Sequence, residues 1–192
     1  MHEYDLIAEW YASDRSQETG VPEVIALASS LPRGARVLDI GCGNGLPVTR
    51  ALLDAGHQVV GLDSSSRMLA RFRANLPDTP IVRGRVQTCP FAGHSFDAAV
   101  AWGVLFHLPR DEQARAIAST SRALRVGAPL LFTAGDVDDG AGIEGTMNGV
   151  TFHYYSFDVD GYRALLHEHG LTLLDVHADR GRNTYYLARK SR

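Results

Sequence analysis

The stretch VLDIGCGNGLPV, residues 37–48, passes from a mostly apolar strand-like run through Gly41, Gly43 and Gly45 into a helical pattern. Glycine adopts backbone conformations that other residues avoid, and its missing side chain lets another group come close to the main chain. Val48, Ala51, Leu52 and Ala55 then repeat at helical spacing and stop at Gly56, which suits a left-handed C-terminal cap. Glycines at such a junction form either a tight turn alone or a turn built around a ligand.

The flanking sequence repeats the strand-helix unit. Two N-terminal helices are predicted, one with Leu6, Ile7, Trp10 and Tyr11 on a face, the next with Val24, Leu27, Ala28 and Leu31 after Pro22. Strands are predicted at 36–40, 58–63, 81–82, 96–102 and 130–134. Between them lie helices carrying Met68, Leu69, Phe72 and Leu76, capped by Ser65 or Ser66, and Ala114, Ile117, Ala118, Ser121 and Leu124. Such alternation means parallel strands joined by crossover helices, with both sheet faces covered. After a helix carrying Tyr162, Leu165 and Leu166, strands at 171–177 and 184–188 are separated only by the link 179–182, too short for a crossover, so they pair antiparallel.

A chain of 192 residues supports one sizeable core, and 45% hydrophobic with 21% charged residues is ordinary for a globular protein. A formal net charge of −3 gives no electrostatic reason to expect a polyphosphate partner, so a small molecule is expected and nucleic acid is not. The two cysteines, Cys42 and Cys89, stand far apart outside any CxxC or Cys/His cluster, which argues against a disulfide framework or a metal site. The N-terminal MHEYDLIAEWYASDR is acidic and interrupted, no run has the length of a membrane span, and a cytoplasmic protein is expected.

Spacing narrows the ligand. A dinucleotide turn reads G-x-G-x-x-G and receives a pyrophosphate at the helix N-terminus. Here Asp39-Ile-Gly41-Cys-Gly43-Asn-Gly45 puts an acid before the first glycine, which repels phosphate and suits a ligand with an ammonium group and a sulfonium centre. Asp63 ends the next strand, where a carboxylate can also cap the following helix.

The sequence resembles the class I S-adenosylmethionine-dependent methyltransferases, in particular the small bacterial type acting on metabolites. The resemblance rests on VLDIGCGNG at 37–45, VVGLDSSSRML at 59–69, CPFAGHSFDAAVAWGVLFHL at 89–108, ALRVGAPLLFT at 123–133 and YRALLHEHGL at 162–171, in family order across nearly the whole chain. It implies a Rossmann-like three-layer α/β sandwich whose seven-stranded, mostly parallel sheet ends in an antiparallel strand. It further implies one domain, with an N-terminal helical lid (1–33), a cofactor-binding core (34–135) and a substrate-side loop with a terminal helix and hairpin (136–192). Asp39, Gly41, Cys42 and Gly43 would hold the methionine part and ribose of S-adenosylmethionine, Asp63 the ribose hydroxyls, and Ser64, Val86 and Gln87 the surroundings of the adenine, with Trp102 a further cofactor-binding residue. Tyr11 would lie in the lid over the cofactor, with Arg15 near its carboxylate; otherwise that helix simply packs on the core. Where relatives often read G-D-A at 84–86, this chain has Gly84-Arg85-Val86, and Arg85 cannot accept the adenine amino group.

Methyl transfer from a sulfonium is an in-line displacement, so positioning supplies much of the rate and a base is needed only where the acceptor must lose a proton. His107, just past the fourth strand, is either that base or a histidine bonded to backbone. The glycine-rich segment 136–152 is expected to be a long loop over the site. His153, Tyr154 and Tyr155 after it either line an acceptor pocket, with His153 as a second candidate base, or pack as an ordinary strand. No Asn-Pro-Pro-Tyr motif follows the fourth strand, which counts against methylation of nucleic-acid bases. The expected partner is a small methyl acceptor, the assembly a monomer or a homodimer. The rival readings are a non-catalytic binder of the same cofactor or its demethylated product and a nicotinamide-dependent oxidoreductase.

Overall fold

The computed structural model describes residues 3–14, 20–89, 91, 93, 96–178 and 183–192; Arg15 and the link 179–182 lie outside these. Helices α1 (Glu3–Asp14) and α2 (Val21–Ser30) precede β1 (Arg36–Ile40). There follow α3 (Val48–Asp54), β2 (Gln58–Asp63), α4 (Ser66–Asn75), β3 (Ile81–Arg83), β4 (Ala98–Ala101), α5 (Arg110–Ala123) and β5 (Pro129–Ala134). The chain continues through β6 (Asp139–Met147), β7 (Val150–Ser156), α6 (Val159–Glu168), β8 (Leu171–Ala178) and β9 (Thr184–Lys190). Among the described residues no helix is long and apolar enough to cross a membrane.

The main sheet has seven strands in the order β3-β2-β1-β4-β5-β9-β8. The strands from β1 to β5 run parallel, and β9 is antiparallel to both of its neighbours. Chain direction across the sheet reverses between β1 and β4, which opens a crevice beyond their carboxyl ends. Period-two alternation sends Val37, Val59, Ala98 and Val100 to the face covered by α2 and α3. It sends Leu38, Val60, Ala99 and Leu130 to the face that receives Ile117 of α5 and Tyr162 and Leu166 of α6. The result is three layers. The fourth strand is shorter than predicted: Phe96 makes only an isolated bridge to Leu124 before β4 begins.

Segment 136–152 is not the expected loop. Most of it is a two-stranded antiparallel hairpin of β6 and β7, separate from the main sheet, closed by Asn148-Gly149 with Met147 paired to Val150. Both turn residues have positive φ, 47° and 75°, as a two-residue hairpin turn of this hand requires. The glycines that suggested a loop make room for rings: a Cβ on Gly142 would stand 2.4 Å from the Tyr155 ring, and one on Gly145 2.8 Å from that of Tyr154.

The β1–α3 turn is bound to its surroundings by what its glycines lack. All three have positive φ: 68° at Gly41, 53° at Gly43 and 83° at Gly45. A Cβ on Gly45 would lie 2.6 Å from Leu76 and 3.0 Å from Phe72, so α4 packs where that side chain would be. Beneath the turn, Asp39 is 1% exposed, and its carboxylate accepts a hydrogen bond from the Thr49 hydroxyl of α3. Burial pushes its pKa up to about 7, with the Asp63 charge adding to the rise and the Thr49 bond opposing it.

Gly45→Ala should lower stability by about 2–4 kcal/mol through backbone strain and displacement of Leu76, read as a shifted urea midpoint; an unshifted midpoint would contradict the packing. The unfolded chain releases the Asp39 proton near pH 3.8, whereas the folded chain holds it to about pH 7. Within that window the folded state binds more protons, so this group makes stability fall as pH rises and then level off above pH 7. Asp39→Asn should flatten that part of the stability profile; an unchanged slope would assign it to another group.

Candidate functional site

A cleft of about 350 Å3 opens at the carboxyl ends of β1, β2 and β4, under α1 and the β6–β7 hairpin. Most of the expected residues meet there. Gly41 and Gly43 come from the turn, Asp63 and Ser64 from the end of β2, and Val86 and Gln87 from a 3-10 turn after β3. Trp102 and His107 follow β4, Tyr11 projects from α1, and His153 comes from β7. Asp39 and Cys42 do not line the cleft. Their side chains lie beneath and behind the turn: Asp39 bonds Thr49, and Cys42 packs with Leu69 and Phe72 of α4. With Asp39 and Asp63 nearby, burial pushes the Cys42 thiol far up and leaves it inert.

Asp63 is held at two points. One carboxylate oxygen accepts the Gly43 N–H at 2.9 Å and the other the Ser65 N–H at 2.8 Å. The capping question resolves onto Ser65, whose Oγ accepts the Met68 N–H at 3.1 Å as the N-cap of α4. Asp63 therefore remains at the cleft wall with its orientation set by two backbone donors. Gly41 admits a close approach, since a Cβ there would stand 2.1 Å from Val104 of the segment after β4. Gly43 differs: a Cβ there would meet only the Gly41 carbonyl oxygen and the Met68 side-chain methyl, both at an ordinary contact distance of 4.0 Å.

Beyond Asp63 the cleft is floored by Leu62, Met68 and Val86 and edged by Arg85, the one guanidinium among its described lining residues. The Gln87 amide donates to a carboxylate oxygen of Glu112 at the start of α5, which fixes the amide's donor end and leaves its carbonyl oxygen the end able to accept. Sequence reading had not singled out Glu112, because only the fold brings the first turn of α5 against the turn after β3.

At the other end, the Tyr4 hydroxyl and His107 Nε2 lie 2.9 Å apart. His107 thus has a side-chain partner at that nitrogen rather than a backbone one. Its ring is enclosed by Phe106, Phe152 and Tyr154 at centroid distances of 4.6, 5.4 and 5.1 Å. Tyr4 also meets Tyr11 and Phe152 edge to face, at 5.4 and 5.2 Å. His153 lies at the margin, half exposed, its Nε2 3.0 Å from Glu144 of the paired strand. The sequence pattern does not single out Tyr4; its helical spacing from Tyr11 is the available signal.

The family profile described as a methyltransferase domain matches residues 37–127. An uncharacterized methyltransferase of Mycobacterium tuberculosis is 37% identical over 123 residues, covering 62% of this chain and 47% of that protein. The chain spans about half the length of the curated relatives it matches. Among solved structures, the CcbJ methyltransferase of Streptomyces caelestis matches with a TM-score of 0.82 at 18% identity, over 99% of this chain and 98% of that one. A 1,6-didemethyltoxoflavin-N1-methyltransferase of Burkholderia thailandensis, solved with 1,6-didemethyltoxoflavin and S-adenosylhomocysteine bound, matches at 0.74 and 22% identity, over 99% and 87%. At such identities the structural likeness speaks for the fold, and the family profile and the curated relatives speak for lineage. The profile match over residues 37–127, the curated relatives and the shared fold together support the class I S-adenosylmethionine-dependent methyltransferases as the family this chain resembles.

Proposed function

We propose that this chain binds S-adenosylmethionine in the cleft and transfers its methyl group to a small-molecule acceptor. The observation that carries this reading is the Asp63 carboxylate, aimed by two backbone N–H groups at the edge of a cleft floored by glycine backbone. The residues fit the cofactor: the space beyond Gly43 admits a ligand against bare main chain, Asp63 suits two vicinal hydroxyls, and Leu62, Met68 and Val86 offer apolar surface to a purine. When bound, S-adenosylmethionine supplies an electrophilic methyl on a sulfonium.

The protein's part is then positioning and exclusion of water. Residues 1–33 act as the lid, 34–135 hold the cofactor, and 136–192 supply the acceptor side. In this reading the hairpin roofs that side, and Tyr4, Tyr11, Phe152 and Tyr155 wall it with rings suited to a compact organic acceptor. His107 takes the acceptor proton where one must leave, oriented through Nε2 by Tyr4. His153, paired with Glu144 at the margin, serves at most as a binding group. A small acceptor also accords with the 1,6-didemethyltoxoflavin bound in the Burkholderia thailandensis structure of the same fold.

Calorimetric titration should give micromolar binding of S-adenosylmethionine and S-adenosylhomocysteine, weakened at least tenfold in Asp63→Ala, with no binding of NAD. Binding of NAD alone would replace this reading with the oxidoreductase. With an acceptor found by panel assay, His107→Ala should lower kcat/KM by about 10²–10⁴-fold; full activity in that variant would remove the base. Cofactor binding without turnover across the panel would favour the non-catalytic binder.

A further inference from the structure

Two neighbouring residues of α1 reach opposite banks of the cleft. Tyr4 meets His107 on the acceptor side. Asp5 reaches α4: one of its carboxylate oxygens accepts the Ser65 hydroxyl at 2.6 Å and the Arg67 backbone N–H at 3.1 Å, while the Arg67 guanidinium donates to the Asp5 carbonyl at 3.2 Å. Ser65 has no exposed surface and is occupied on every side. Its N–H donates to Asp63, its Oγ accepts the Met68 N–H, and its hydroxyl proton goes to Asp5. The first-turn N–H groups of a helix have no partner within the helix, so a carboxylate from α1 completes what the Ser65 cap begins.

These contacts form one chain: Asp5 of α1, Ser65 at the head of α4, Asp63 at the cleft, and the Gly43 N–H of the β1–α3 turn. Remove Asp5, and a buried hydroxyl and a helix N–H lose their acceptor two residues from the carboxylate that faces the ligand. The backbone of 63–65 keeps its bonds to Gly84, Arg83 and Leu69 but loses its tie to α1 through Asp5.

We propose that Asp5 is a positioning residue: it latches α1 onto the head of α4 and, through Ser65, holds Asp63 in the orientation that binds the cofactor's ribose. Lid seating and cofactor retention become one event, and because Tyr4 is the next residue, the same seating brings the Tyr4 hydroxyl to His107. The inference rests on the cofactor reading above. Its structural half, the latch, does not.

The test compares Asp5→Ala, Asp5→Asn and Glu9→Gln. An Asn side-chain oxygen can still accept both bonds, whereas Ala cannot. Glu9 meets Arg71 across the same α1–α4 contact at 3.6 Å but lies outside the chain of bonds, so its variant controls for general loosening of α1. By calorimetry, Asp5→Ala should weaken S-adenosylhomocysteine binding about tenfold or more, the effect of losing a hydrogen bond to a charged group. Asp5→Asn and Glu9→Gln should stay within threefold of the unaltered chain. By hydrogen exchange, the amides of 3–14 should exchange faster in Asp5→Ala without ligand, and should lose the protection that S-adenosylhomocysteine gives them in the unaltered chain. Unchanged affinity in Asp5→Ala, or equal losses in all three variants, overturns the proposal. If the unaltered chain binds no S-adenosylhomocysteine, the cofactor reading falls and the transmitted effect with it. The ligand-free exchange comparison still decides the latch, and unaltered exchange in Asp5→Ala overturns it.

Discussion

Between β1 and α3 the main chain runs through a space walled by Val104 on one side and by Phe72 and Leu76 on the other, and it fits only because Gly41 and Gly45 carry no side chain. Each glycine answers a different demand. Gly45 lets α4 close onto the turn, Gly41 lets the segment after β4 approach it, and Gly43 leaves the floor of the cleft bare. Once the turn is seated, its Gly43 N–H reaches Asp63 and ties the end of β2 to the end of β1. The apolar faces of the sheet, the crevice at the reversal of strand order and the aim of the ligand-facing carboxylate all meet at this turn.

The two acids around it divide the work by depth. Asp39 lies beneath the turn, where burial raises its pKa and Thr49 satisfies it, so it supports the β1–α3 junction rather than touching a ligand. Asp63 lies at the wall with backbone donors on both oxygens. Sequence reading assigned both to the ligand, Asp39 beside the glycine turn and Asp63 at the end of the next strand. The difference arises from the pleat: Asp39 sits within a strand, inside the three layers, whereas Asp63 ends one.

The far end of the cleft is assembled by a different rule. Its parts come from α1, the turn after β4 and the β6–β7 hairpin, three segments far apart in the chain whose aromatic rings close around His107. None belongs to the repeating strand-helix unit. A scaffold of regular units with a cleft completed by appended segments lets one end stay constant while the other varies.

The sequence by itself determined the strands, the helices that alternate with them and the direction of the last pair, because every strand from β1 to β5 is a short apolar run, every crossover helix has a clean stripe, and a four-residue link forces the last pair to run antiparallel; the strand order is not legible in those patterns. It also marked the glycine turn and Asp63, since backbone freedom and a carboxylate at a strand end are local properties. It misread the hairpin, where Gly140, Gly142 and Gly145 hid the strand pattern even though Asn148-Gly149 announced the turn. What only the tertiary structure decided is which side chains face one another: Asp39 and Cys42 away from the cleft, Glu112 against Gln87, Tyr4 against His107 and Asp5 against Ser65. Those pairings join residues from separate elements, often many tens of positions apart, and periodicity along one segment carries no information about the distance between two of them.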